Sequence, residues 1–184
     1  GLGHAVLCAR EHALPGAVAV ILPDDLIIGQ NCLAEMIEAY EQGNGGHMVA
    51  SMRVPLDETS KYGILSVANE AGRMLHAKGM VEKPAPQDAP SCHAVVGRYV
   101  LDANVFERLQ TQVPGAGGEI QLTDAIAKDA SALGLAGFSF SGRRFDCGSK
   151  AGMLRATLHL ASQDPECAAV LEEFSGIVQP RAAA

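Results

Sequence analysis

The chain has 184 residues, 48% hydrophobic and 19% charged, a balance that suits a folded domain with a real core and excludes a disordered segment. A formal net charge of −7 gives no basic footprint for nucleic acid or an anionic membrane, so an anionic substrate needs a bound cation or a few placed lysines and arginines. The five cysteines include no C-x-x-C and are odd in number, which argues against a disulfide framework or zinc site and fits reduced thiols in a cytoplasm.

Tryptophan is absent, so Leu, Ile, Val, Ala and Met must build the core. No apolar run reaches the length of a membrane span. The chain opens on GLGHAVLCAR, with neither a leader nor an initiator Met, and is expected to be a piece of something longer.

Ala5 to Arg10 reads as the end of a helix. Val18 to Leu22 is short, apolar on both faces and β-branched, which predicts a strand covered on both sides in a parallel sheet. In NCLAEMIEAYEQGNGG, residues Leu33, Met36, Ile37 and Tyr40 fall on one helical face, with Gly43 as a cap. HMVASMRV is the next strand. YGILSVA and RMLHAKGMVEKP, joined at NEAG, predict a β-hairpin over about 61–84, and APQDAPSCH a Pro-punctuated loop.

AVVGRYVL is again a strand, and Asp102 is placed to cap the helix ANVFERLQ. The Gly-rich VPGAGG leads into a helix expected to begin near Glu119. LAGFSFSG is a strand, and Lys150 to Phe174 reads as two helices broken near Asp164-Pro165. The last residues, QPRAAA, are expected to fray. Strands alternating with helices predict a single α/β domain over 1–184, with a doubly wound, mostly parallel sheet, the hairpin as an insertion, and C-terminal helices over about 150–175.

Four stretches carry candidate chemistry. PDDLI puts Asp24 and Asp25 just past the carboxyl end of a strand, where open α/β sheets bind ligands; two carboxylates there suit a hard divalent cation, although taken alone the motif favours an ordinary solvated turn. In MVEKP, Pro84 is expected to hold Lys83 extended, aiming its ammonium at a phosphate and Glu82 at sugar hydroxyls; the plainer alternative is a surface charge pair. PGAGGEIQLTDAI places Glu119 at a helix start but is neither a P-loop nor a dinucleotide fingerprint. In RRFDCGSKAG, Asp146 precedes a helix and either joins Asp24 on one metal or serves the helix dipole. Cys147 has no partner that would make it a nucleophile, and the six histidines have no metal spacing.

Taken together, GLGHAV, LPDDLI, KYGIL, MVEKP, VGRYVL, PGAGGEIQLTDAI and FDCG, in this order and at these intervals, resemble the bacterial UTP–glucose-1-phosphate uridylyltransferases, within the sugar-phosphate nucleotidylyltransferases. The resemblance covers nearly all of the chain. It implies the nucleotide-diphospho-sugar transferase fold, UTP and glucose 1-phosphate as substrates, UDP-glucose as product, Mg²⁺ as cofactor and a cytoplasmic homo-oligomer. It makes Asp24 and Asp146 the metal ligands and Lys83 the holder of the sugar phosphate. Glu82 and Gly63 become glucose contacts and Gly1 the glycine packed against uracil. Asp25, Gly97 and Glu119 are placed in the substrate site, Glu119 by opening the helix that walls it. The family's Gly-rich triphosphate loop has no match here, so the chain resembles the carboxyl-terminal two-thirds of such an enzyme. A dTTP- or ATP-using relative and a non-catalytic sugar-nucleotide binder are the competing readings.

Overall fold

In the computed structural model, which describes residues 1–43 and 46–175, the chain forms two compact units. The first comprises Gly1–Leu22 and Gly29–Gly142, the second Pro23–Ile28 with the chain from Arg143 onward. In chain order the elements are α1 (Leu2–Cys8), β1 (Val18–Ile21), β2 (Asp25–Ile28), α2 (Cys32–Glu41), β3 (His47–Arg53), β4 (Gly63–Ala71), β5 (Met74–Glu82), β6 (His93–Leu101), α3 (Asn104–Gln110), α4 (Leu122–Leu133), β7 (Leu135–Ser139), β8 (Arg143–Asp146), α5 (Lys150–Ala161) and α6 (Pro165–Ser175). The tail 179–184, expected to fray, lies outside the described residues.

The first unit is built on a six-stranded sheet in the order β1-β6-β3-β7-β5-β4. Its α/β character is as expected, but the sheet is mixed rather than mostly parallel: β3 and β7 form the one parallel pair among the described strands. The reason is β6, which runs antiparallel between β1 and β3, while the β4–β5 hairpin adds further antiparallel neighbours at the other end. β1 is therefore an antiparallel edge strand whose residues alternate between half-buried and exposed, not a strand covered on both faces. β4 and β5 pair as a hairpin that closes at Ala71 and Met74, two residues beyond the expected turn, because Asn69 and Glu70 still pair with β5.

The main core lies where α1, α3 and α4 pack on this sheet. Val6, Val105, Phe106, Leu109, Leu122 and Ile126 meet Val49, Leu65, Leu75 and Tyr99, all buried. α2 starts at its cap, Asn31, whose side chain accepts from Ala34 N; it buries Cys32 and Met36 while Ile37 stays exposed. The cap position of α3 is Ala103 rather than Asp102, which lies one residue earlier and accepts from the Asn104 amide at 2.9 Å. α4 begins at Leu122, not near Glu119, because the backbone from Glu119 to Gln121 is extended. Hydrogen bonds from Gly115 N to Glu119 O and from Gly3 N to Ile120 O hold that segment.

The second unit contains a two-stranded antiparallel sheet, β2 with β8, and the two C-terminal helices α5 and α6. β2 and β8 pair Asp25 with Asp146 and Leu26 with Phe145. Among the described residues no helix is long and apolar enough to cross a membrane.

Candidate active site

In the first unit, the end of β5 collects several of the residues singled out from sequence. Gly63 opens β4 directly opposite Glu82 at the end of β5. Glu82 Oε2 accepts a 2.6 Å hydrogen bond from the hydroxyl of Thr123, in the first turn of α4. A methyl group on Gly63 would lie 3.3 Å from the Thr123 methyl and 3.4 Å from Glu82 Oε2, so the bare backbone there lets the three elements close up. Thr123 was not legible as a site residue, because only the fold brings α4 against the hairpin.

Lys83 follows, its ammonium 3.7 Å from Glu82 Oε1 and largely exposed. It is not extended. Its φ is +46°, and it is the single non-glycine residue with positive φ among the described residues. Pro84 disfavours the right-handed helical region for the residue before it, and the hydrogen bond from Lys83 N to Tyr62 O at 2.9 Å fixes the peptide at the end of the ladder. The strained left-handed conformation is the outcome, of a kind that clusters at functional positions.

The other expected substrate contacts of this unit fall in two places. Gly1 packs on Glu119: a Cβ on Gly1 would sit 2.6 Å from Glu119 Oε2. Gly97 lies in β6 where the register against β3 shifts, since Val49 faces Tyr99 but Ala50 faces Val96. The Gly97 carbonyl accepts from Leu22 N at 2.9 Å, and Arg98 donates to both Leu22 O and Gly97 O, which ties down the end of β1 just before the Pro-Asp-Asp turn.

In the second unit, Asp24 and Asp146 converge. A methyl group added to Gly148 would lie 2.8 Å from Asp24 Oδ2 and 3.2 Å from Asp146 Oδ1, so both oxygens border the volume that the glycine leaves empty. Cys147 N donates to Asp24 O at 2.7 Å, and Gly148 N to Asp146 Oδ1 at 3.1 Å, fixing the two loops to each other. Neither carboxylate has an ion-pair partner among the described residues. Asp25 differs: it is buried and ion-paired with Arg144. The helix α5 is capped by Ser149, whose hydroxyl accepts from Gly152 N, and a Cβ on Gly152 would fall 1.7 Å from the carbonyl oxygen of Asp146. These two glycines and Ser149 shape the carboxylate pair and were not singled out from sequence.

The first unit holds a further polar cluster, around a histidine for which the sequence showed no metal spacing. His47 Nε2 lies 3.6 Å from Asp129 Oδ2, both side chains buried, and Arg108 Nε donates to Asp129 Oδ1 at 2.7 Å. Burial pushes the His47 imidazole below its usual range, against the opposing pull of Asp129.

In the second unit, two carboxylate oxygens border one small volume, a donor pair suited to a hard cation. In the first, a lysine and a glutamate stand together at the end of the hairpin, groups suited to a phosphate and to hydroxyls. The chain belongs to the nucleotidyl transferase family, whose model matches residues 1–163. Within that class it is 45% identical over 151 residues to the UTP–glucose-1-phosphate uridylyltransferase of Komagataeibacter xylinus, an overlap of 82% of this chain and 53% of that protein. It is 41% identical over 167 residues to the same-named protein of Bacillus subtilis, covering 90% and 57%. Among solved structures it is similar to UDP-glucose pyrophosphorylase complexed with UDP-glucose, with a TM-score of 0.85 at 38% identity, over 89% of this chain and 63% of that one. It is likewise similar to the UTP-bound UGPase of Acinetobacter baumannii, with a TM-score of 0.83 at 37% identity, over 97% and 62%. The chain thus spans little more than half the length of these curated relatives.

Proposed function

We propose that the protein transfers the uridylyl group of UTP to glucose 1-phosphate, giving UDP-glucose and pyrophosphate. The observation that carries this reading is the convergence of Asp24 Oδ2 and Asp146 Oδ1 beside Gly148, in a chain 41–45% identical to proteins named for this reaction. A phosphate oxygen of the sugar phosphate attacks the α-phosphorus, the bond from that phosphorus to the bridging oxygen breaks in line, and pyrophosphate leaves. The attacker is already an anion, so no general base is needed. The barrier is repulsion between anions and their misorientation.

Asp24 and Asp146 would hold Mg²⁺. Two hard oxygen donors bordering a gap without a Cβ, with no ion-pair partner among the described residues, fit an ion that takes one or two carboxylates and completes its shell with water and phosphate. Bound there, the ion supplies charge neutralisation and a template for the two anions. Asp25, next to Asp24 in the chain, would stand at the substrate site while its carboxylate anchors β8 through Arg144.

Lys83 would hold the phosphate of glucose 1-phosphate, with Glu82 and the Gly63 backbone at the sugar hydroxyls. Gly1 would pack on the uracil, with Glu119 beside it and Gly97 in the neighbouring strand. Orientation of this kind contributes about 7–11 kcal/mol to a bimolecular step when the reacting groups are well aligned. A doubly wound nucleotide-binding arrangement, a cytoplasmic setting and a homo-oligomer belong to the same reading.

Pyrophosphate release by the intact protein, followed against Mg²⁺ concentration, tests the proposal. Asp24→Asn should lose Mg²⁺-dependent turnover while its circular dichroism stays that of wild type. Turnover near wild type at saturating Mg²⁺ removes Asp24 from the metal site.

A further inference from the structure

We propose that Thr123 is a positioning residue for the sugar half of this reaction: it fixes the Glu82 carboxylate so that one oxygen faces substrate hydroxyls and the Lys83 ammonium stays open to phosphate. The proposal rests on the uridylyltransferase reading above.

The Thr123 hydroxyl has one proton to give, and it gives it to Glu82 Oε2 at 2.6 Å, a length typical of a charge-assisted bond to a carboxylate. The threonine is itself held. Its methyl faces Gly63, where a Cβ would come within 3.3 Å, and a β-branched side chain in a helix has little χ1 freedom. Hydroxyl and methyl thus clamp the carboxylate between the first turn of α4 and the start of β4.

The consequence falls on Oε1. Lys83 Nζ is 3.7 Å away, beyond hydrogen-bond length, and the Glu82 side chain is only 16% exposed. With Oε2 tethered, the carboxylate cannot turn to close that pair. Released, it would swing onto the ammonium beside it and neutralise the cation that the sugar phosphate needs, while withdrawing the acceptor that the hydroxyls need. One hydroxyl therefore keeps two adjacent, oppositely charged groups apart and each available to ligand.

Calorimetric titration of UDP-glucose, and separately of UTP, into the intact protein in magnesium buffer tests this. Thr123→Val, which keeps the shape and removes the donor, should weaken UDP-glucose roughly tenfold or more while leaving UTP unchanged. Thr123→Ser should bind as wild type, and Thr123→Ala serves as a second hydroxyl-free variant should the valine fail to fold. In a Glu82→Ala background the loss of the hydroxyl should add nothing, because the group it acts through is gone. The proposal is overturned if the hydroxyl-free variant binds UDP-glucose as wild type does, if it loses UTP in the same proportion, or if its effect persists without Glu82. Wild-type protein that binds UTP but not UDP-glucose overturns the sugar-nucleotide reading itself, and this proposal with it.

Discussion

Gly152, in the first turn of α5, lies so close beneath Asp146 that a methyl group on it would sit 1.7 Å from the Asp146 carbonyl oxygen. No side-chain rotation relieves that contact, because the obstacle is backbone. Gly152→Ala must therefore push α5 away from the end of β8 and shift Asp146 out of its convergence with Asp24. Overpacking of this kind costs about 1–3 kcal/mol. A lower urea midpoint, together with weaker Mg²⁺ activation, is the expected result; unchanged Mg²⁺ activation would show that the carboxylate pair tolerates the shift.

How much of this was legible in the sequence depends on range. The cap at Asn31 was not singled out, but the hairpin and the division of the tail into two helices follow from local patterning and were readable. Strand order was not: the period of β6 marks it as a strand but does not say that it lies antiparallel between β1 and β3. The β2–β8 sheet escaped for the same reason. Each strand has four residues, too few to set a period, and Asp25 finds Asp146 only through the folded chain. Of the candidate site, charged residues beside strand ends stood out: Asp24, Glu82, Lys83 and Asp146. Gly148, Gly152 and Thr123 did not, since their importance lies in what approaches them. The left-handed backbone of Lys83 was hidden because Pro84 excludes one region without choosing between the others.

His47 gives the fold a pH dependence of defined sign. Burial lowers its pKa in the folded protein, the pull of Asp129 notwithstanding, whereas the unfolded chain takes up the proton near pH 6.5. Below that pH and above the folded value, the unfolded state binds more protons, so stability rises with pH there. The stabilisation is fully present above about pH 6.5 and is lost as the pH falls through that value toward the folded one, by at most about 1.4 kcal/mol per pH unit for one proton. Urea unfolding between pH 7.5 and 5.5 should show this loss in wild type, and His47→Gln should lack it. A gain in stability on acidification would instead mean that His47 and Asp129 form a charged pair.

Lys83 combines backbone strain with a proposed role, and the two separate by substitution. A left-handed conformation costs a non-glycine residue roughly 1–2 kcal/mol, and glycine escapes that cost at the expense of about 0.5–1 kcal/mol in unfolded-chain entropy. Lys83→Gly should accordingly leave stability unchanged or raise it by about 1 kcal/mol, while Lys83→Met, which keeps the strain, should leave it unchanged. Both remove the ammonium. A hydrogen bond to a charged group contributes about 1.5–3 kcal/mol, so the Michaelis constant for glucose 1-phosphate should rise at least about tenfold in each, and that for UTP far less. Turnover should fall as well if Lys83 orients the attacking oxygen. Lys83→Arg should rescue in part only, since a planar fork does not reproduce a point charge. A mere surface pair with Glu82 predicts the opposite pattern: no kinetic change in any of the three variants, with the stability difference between glycine and methionine still present. Steady-state kinetics with each substrate varied in turn, beside urea unfolding of the same preparations, distinguish a strained working residue from a strained idle one.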